Sequence, residues 1–207
     1  MADQELLLAS RISRFPRGTV FFVEDLLDTG LPEEVLRVLL SRMSRTSELF
    51  IRLGRGIYCY PDVTENFCMV IPSVWDVCSA VAVRHRCRIA PSDGTAAGLC
   101  GLRPLSDVRY DFVTTGSDLS FLLSTGKSVF FRRRVSQKVF SFRSDRMRNL
   151  AEGLRYRGEE NITEEDVGRV GECLLGIPFD EYYHDLKLCP GWMRKILVSV
   201  RNPGPEE

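Results

Sequence analysis

Six side chains between residues 37 and 55 have the types and spacing to hold phosphate and to hydrogen-bond base edges. Arg37, Ser41 and Arg45 follow one another at four-residue intervals, and Ser44 lies beside them, so at about 100° per residue they share one face of a helix. Arg52 and Arg55 come next, in a segment that Gly54-Arg55-Gly56 can turn. Guanidinium groups offer a fixed fork of donors to phosphate oxygens and guanine edges, and serine hydroxyls donate or accept at short range. A helix carrying the first set could lie in a major groove while the turn carrying the second touches the backbone. The same pattern also fits the solvated side of an ordinary amphipathic helix. Residues 1–62 carry eight arginines, no lysine and nine acids, and Glu34 sits beside the polar face. Any DNA affinity of this segment alone is therefore modest.

A second basic set lies further on. Between Lys127 and Arg157 there are ten basic residues against Asp145 and Glu152, a balance of +8. Lys127, Arg132, Arg133, Arg134, Lys138, Arg143, Arg146 and Arg148 are its candidate contact residues. From Gly158 onward eleven acids face five bases, a balance of −6, although the whole chain is neutral. The block is either a second nucleic-acid surface or the partner of the acidic tail. Phe130, Phe131, Phe140 and Phe142, interleaved with these charges, fit the core of strands better than base-stacking platforms.

Sequence signals for catalysis or metal binding are weak. Only His85 and His184 are present; Asp185 could orient the latter, but no nucleophile motif accompanies either. Gly116-Ser117 resembles the opening of a nucleotidyltransferase site, yet no Asp-x-Asp or Asp-x-Glu pair follows in residues 118–135. Asp107 and Asp111 could meet only through the fold. Gly94, Gly98 and Gly101 match no phosphate-loop spacing. Cys78, His85 and Cys87 are the nearest approach to a metal site, and the reading is no catalysis, no metal and no cofactor. Seven cysteines without a CxxC pair, several in apolar runs, argue for a reducing cytoplasm. No run has membrane-span length, and the N-terminus has no signal-peptide pattern, so no membrane partner is expected.

The elements that must position the first set can be read in order. Leu6, Leu7 and Ile12 predict an opening amphipathic helix. Residues 19–22 suit a short strand, and residues 24–27 one or two helical turns stopped by Asp28-Thr29-Gly30. A helix then starts at Pro32 with Glu33 and Glu34 in its first turn, and Val35, Leu36, Leu39, Leu40 and Met43 form its apolar side. Leu49, Ile51 and Leu53 alternate before the glycine turn, and residues 57–60 return. This order is that of a winged helix-turn-helix over residues 1–62. After a connector at 62–71, residues 72–207 predict an α+β domain with a mainly antiparallel sheet and C-terminal helices. Its parts are a helix through Val74, Val77, Cys78, Val81 and Ala82, a strand at 88–90, a small-residue helix, strands at 108–114, 119–123 and 127–135, and helices from about Asp145. Thr163 and Asp166 form a capping-box-like start.

Ile12, Gly18-Thr19-Val20-Phe21, Asp25-Leu26, the helix from Val35 to Leu40 and Arg52-Leu53-Gly54-Arg55-Gly56-Ile57-Tyr58-x-Tyr60-Pro61 resemble the N-terminal domain of AbiEi-like antitoxins. These are the antitoxin halves of abortive-infection, type IV toxin–antitoxin systems, with a closely related bacterial family beside them. Pro91-Ser92-x-Gly94 with Ala96-Ala97-x-Leu99-x-Gly101-Leu102, and Pro190-Gly191-Trp192-Met193 before Ile196-Leu197, extend the likeness. Two places depart: Arg45-Thr46-Ser47 stands where the family usually has a glycine, and Arg103-Pro104-Leu105-Ser106 replaces a Ser-Thr-Gln-like run. The resemblance implies an autorepressor that reads its own operator in double-stranded DNA. It also implies an antitoxin role for the C-terminal domain against a nucleotidyltransferase-like toxin. A palindromic operator would need two copies on the DNA, as a homodimer or by cooperative binding. The alternative is a protein- or RNA-interaction module that uses the winged fold as scaffold and the 127–157 block as its surface.

Overall fold

The start and stop signals in the sequence act where they stand, and long-range packing then selects which apolar residues are buried. The computed structural model describes residues 2–64 and 68–201. Contacts divide the chain into two compact units: residues 1–85 with 121–126, and residues 86–120 with 127–207. The division therefore falls after His85 rather than within the 62–71 connector, and the helix at 74–84 belongs to the first unit.

The first unit opens with α1 (Ala2–Ile12), which buries Leu8 and Ile12, one turn apart. Leu6 and Leu7, expected on the apolar side, are exposed, because the core meets the helix along the Leu8–Ile12 stripe. A short β1 (Val20–Phe21) leads into a 3-10 turn at Val23–Thr29. Then α2 (Glu33–Thr46) buries Leu36, Leu39, Leu40 and Met43, and its first turn carries Glu33 and Glu34 as the macrodipole favours. The hairpin of β2 (Ile51–Gly54) and β3 (Ile57–Cys59) follows, and β1 pairs antiparallel with β3 on its other edge. Gly56 takes a φ of 73°, which the tight turn needs and a side chain would resist. Phe21 sits wholly buried among Phe15, Phe50 and Tyr58, with ring centroids 5.3, 5.8 and 5.7 Å away. Burying a side chain of this size contributes roughly 1.5–3 kcal/mol.

Part of the connector is itself a small antiparallel pair, β4 (Asp62–Val63) and β5 (Met69–Val70). Beyond it α3 (Val74–Arg84) starts on a Ser73–Asp76 capping box and packs on β1. Residues 121–126 return to this unit: the Ser124 amide donates to the Leu53 carbonyl at 2.7 Å, beside a bridge from Leu123 to Gly54.

The second unit contains β6 (Ile89–Pro91), α4 (Asp93–Leu99), β7 (Arg109–Thr114), β8 (Leu119–Leu122), β9 (Ser128–Arg133), α5 (Asp145–Arg157), α6 (Glu164–Leu174), α7 (Phe179–Leu186) and α8 (Gly191–Arg201). Its sheet has the order β6-β7-β9-β8, of whose last strand Leu119 and Ser120 belong to this unit. The pairing of β6 with β7 is antiparallel, whereas β7 and β9 are parallel over six residues, from Arg109 beside Ser128 to Thr114 beside Arg133. The successive strands β7 and β8 are thus separated by β9, and the sheet, expected to be mainly antiparallel, contains a parallel pair. The excursion through residues 115–127 returns the chain to the starting end, as a parallel pair requires. Phe131 is buried, while Phe130, Phe140 and Phe142 are half-buried.

Helices α5, α6 and α8 close the second core around Met147, Leu150, Leu154, Val170, Met193 and Leu197. The small residues of α4 serve close packing on α5, and Gly153 is the reciprocal small residue: a Cβ there would lie 3.0 Å from the Ala97 Cα. Asp185, fully buried, accepts from the amides of Arg143 and Ser144 at 2.8 Å each and so satisfies donors at the start of α5. The capping box at α6 is formed, and Arg157 reaches Asp166 at 3.0 Å. Burial works against ionisation of Asp166, but the Thr163 amide, Arg157 and the Thr163 hydroxyl outweigh it and hold its carboxyl below the usual aspartate range.

Two glycine substitutions should have opposite signs in urea unfolding. Gly153→Ala forces backbone apart and should destabilise by about 1–3 kcal/mol. Gly168→Ala, in α6 with nothing within 4 Å, should stabilise by about 0.5–1 kcal/mol through helix propensity. Asp166 should give a pH signature. Its folded pKa is depressed, so its stabilisation is present above the unfolded value of about 3.9 and is lost as pH falls through the folded value. Asp166→Asn should unfold earlier than the native chain near neutrality, and the gap should close as pH drops from about 5 towards 2.

Candidate nucleic-acid interface

Helix α2 and the β2–β3 hairpin present their polar side chains to one groove. Its volume is about 320 Å³, and Arg37, Ser41, Arg52, Arg55, Tyr58 and Arg84 are among its lining residues. Arg37 and Ser41 come from successive turns of α2, whose opposite side is committed to the core. Arg52 stands directly across the hairpin from Tyr58 and donates through Nε to the Gly54 carbonyl at 3.1 Å, which steadies its stem. Arg55 projects from the turn. Burial raises the Tyr58 phenol, and the nearby Arg52 and Arg37 charges pull it back.

Acids temper this charge without cancelling it. Arg37 pairs with Glu33 one turn earlier, and that hydrogen bond, with the glutamate's charge, raises the guanidinium above its ordinary value. Arg84 pairs with Glu24 and lies 4.7 Å over the Phe22 ring. Among the described residues Arg52 and Arg55 have no ion-pair partner, so the hairpin tip holds the least compensated charge.

Four of the six residues expected from sequence, Arg37, Ser41, Arg52 and Arg55, are thus brought to one place. Arg45 lies on an adjoining, shallower face of α2 with Val38 and Arg42, and shares Arg37 and Ser41 with the groove. Ser44 turns its hydroxyl to the Ser41 carbonyl at 3.1 Å and lines neither surface. Arg84 and Tyr58 are additions. Arg84 ends α3, a helix that the sequence pattern assigns to the C-terminal domain, and only the packing of α3 on β1 brings it here. A signal for Tyr58 existed, since it opposes Arg52 in any two-stranded reading of the hairpin.

The 127–157 block is less available than its count implies. Arg132 reaches Asp118 at 3.5 Å, Arg134 holds Asp93 and Glu152, Arg148 pairs with Asp145, and Arg155 also holds Glu152. Arg157 is its one ion pair to the acidic tail among the described residues. Arg146 donates to the Leu175 carbonyl, and Lys127 sits 5.8 Å from the Tyr110 ring. The side chains of Arg133, Lys138 and Arg143 are exposed and make no ion pair among the described residues.

His184 lies 2.9 Å from Asp185, but that carboxylate is committed to the start of α5. Asp111 is held by a two-pronged contact from Arg109, and Asp107 is exposed. The described residues contain no group of three or more His, Cys, Asp or Glu able to hold a metal, and no helix long and apolar enough to cross a membrane.

Residues 7–176 match DUF6088, a family of unknown function, and the chain belongs to that family. A comparison with curated proteins finds no match. Among solved structures the chain is similar to the RV2827C protein from Mycobacterium tuberculosis, with 12% identity, 94% of this chain and 80% of that chain covered, and a TM-score of 0.43.

Glu152 is buried and holds two guanidiniums. Glu152→Gln should lower stability in chemical denaturation by about 2–3 kcal/mol, short of the loss at a wholly buried pair because Arg155 remains half in water.

Proposed function

We propose that the first unit is a winged helix-turn-helix that reads double-stranded DNA, and that the chain is an antitoxin-like transcriptional regulator of its own operon. The convergence of Arg37, Ser41, Arg52, Arg55 and Arg84 on one groove carries this reading. A phosphate backbone crossing there meets guanidiniums from a helix and from a hairpin at once, while the outer face of α2 with Arg45 is left to meet base edges. The pairing of β1 with β3 behind the hairpin supports it, since a wing needs that third strand to hold its angle. Arg42 on the same outer face is tied to Glu5 and serves the fold.

The antitoxin part rests on the sequence resemblance to AbiEi-like antitoxins. A nucleotidyltransferase-like toxin would then be countered through the second unit, and the groove would serve autorepression. A scaffold that binds protein or RNA is the reading left if DNA binding is absent.

Fluorescence anisotropy on DNA from upstream of the gene and on a scrambled duplex, across a salt series, tests this. The upstream duplex should be preferred on the order of a thousandfold. The Arg37→Glu, Arg52→Glu double variant should lose that binding, and Arg55→Ala should lower affinity for both duplexes and reduce the salt slope by about one. Glu33→Gln, which releases Arg37, should tighten binding. Equal, weak binding to both duplexes that disappears with salt would sink the regulator reading.

A further inference from the structure

The second unit contains a basic cavity with no part in the groove described above. It measures about 310 Å³, and its lining includes Arg134, Lys138, Arg155 and Lys187 together with the apolar Val139 and Phe142. These cations come from four different places in the chain: the residue after β9, a 3-10 turn at 138–141, the last turns of α5, and the end of α7.

The two arginines are oriented from beneath. Glu152, 2% exposed, accepts from Arg134 Nη1 and from Arg155 Nη1 at 2.5 Å each, and Arg134 is held a second time by Asp93 at 2.9 Å. One buried carboxylate thus fixes two guanidiniums that would otherwise repel. The other side chains add charge without compensation: Lys138 and Lys187 are exposed and have no ion-pair partner among the described residues. Counting Glu152 and Asp93 against the four cations leaves an excess of positive charge.

The start of α8 adds to this charge. Pro190 lines the cavity and its carbonyl accepts the first bond of α8, from the Arg194 amide at 3.0 Å. A proline offers no side-chain acceptor, and the first turn of α8 carries no acid, whereas each of the other α-helices among the described residues has one there. The positive end of α8 therefore lies, without an acid in its first turn, beside a cavity already rich in cations.

We propose that this cavity binds a small organic phosphate of mononucleotide size. The phosphate would sit between Lys138, Lys187 and the free donors of Arg155, and the less polar part against Val139 and Phe142. The volume is at the lower end of the range for small-ligand pockets, which suits one such molecule rather than a polymer. The proposal is independent of DNA reading, because the residues belong to the other unit.

Isothermal titration of the full chain with AMP, GMP, CMP, UMP, their nucleosides, inorganic phosphate and a 5′-phosphorylated RNA 12-mer tests it. At least one mononucleotide should bind, its nucleoside should not, and inorganic phosphate should compete. Lys138→Ala with Lys187→Ala, both exposed and outside the core, should weaken that binding roughly tenfold or more while leaving the melting temperature unchanged. Lys195→Ala, on the exposed face of α8, removes a lysine outside the cavity lining and should change nothing. The proposal is overturned if no mononucleotide binds, if the double variant binds as the native chain does, or if only the RNA 12-mer binds.

Discussion

The burial of Phe21 is the contact on which the arginine groove depends. Its ring lies among those of Phe15, Phe50 and Tyr58, and its backbone pairs β1 with β3 directly opposite Tyr58. Phe50 precedes β2 and Tyr58 lies within β3, so the same cluster fixes where the hairpin leaves the core. Leu36, Leu39 and Leu40 of α2 belong to that core as well, which orients the helix against the hairpin. Arg37 and Arg52 then reach one groove because the buried residues beside them, Leu36 and Tyr58, have no other place to go. The polar geometry is a by-product of apolar packing, and the direction of cause matters: the arginines repel and would not assemble by themselves.

Buried carboxylates do comparable work in the second unit. Asp185 satisfies amides at the start of α5, Asp166 serves the start of α6 while holding Arg157, and Glu152 joins Arg134 to Arg155. Each is nearly or wholly buried, and each has several donors around it, which is the condition under which a buried charge is tolerated. The basic block of the sequence is therefore two populations. Arg134, Arg148 and Arg157 are bound to carboxylates within the unit, while Arg133, Lys138 and Arg143 keep their charge for solvent or ligand.

Much of the local structure was legible in the sequence. The helices at 33–46, 74–84 and 164–174 announce themselves through first-turn acids, capping boxes and apolar spacing, because caps and periodicity act within a few residues. The hairpin around Gly54-Arg55-Gly56 is equally local. Leu6 and Leu7 show the limit: residues at the edge of an amphipathic pattern are buried or exposed according to where the neighbouring element arrives, and here the core takes Leu8 instead.

The sequence by itself determined the helices at 33–46, 74–84 and 164–174 and the hairpin at 51–59, and that Arg37, Ser41, Arg52 and Arg55 stand on the polar sides of a helix and a hairpin. The tertiary structure alone decided that β7 and β9 run parallel, that residues 121–126 return beside Leu53, and that α3 brings Arg84 to the groove. It also decided that Lys187 joins Lys138 and Arg155 at one cavity. The reason is range. Caps, turns and periodicities are set by bonds spanning three or four residues, whereas these outcomes rest on contacts between residues dozens of positions apart, which the chain adopts only when the apolar cores close.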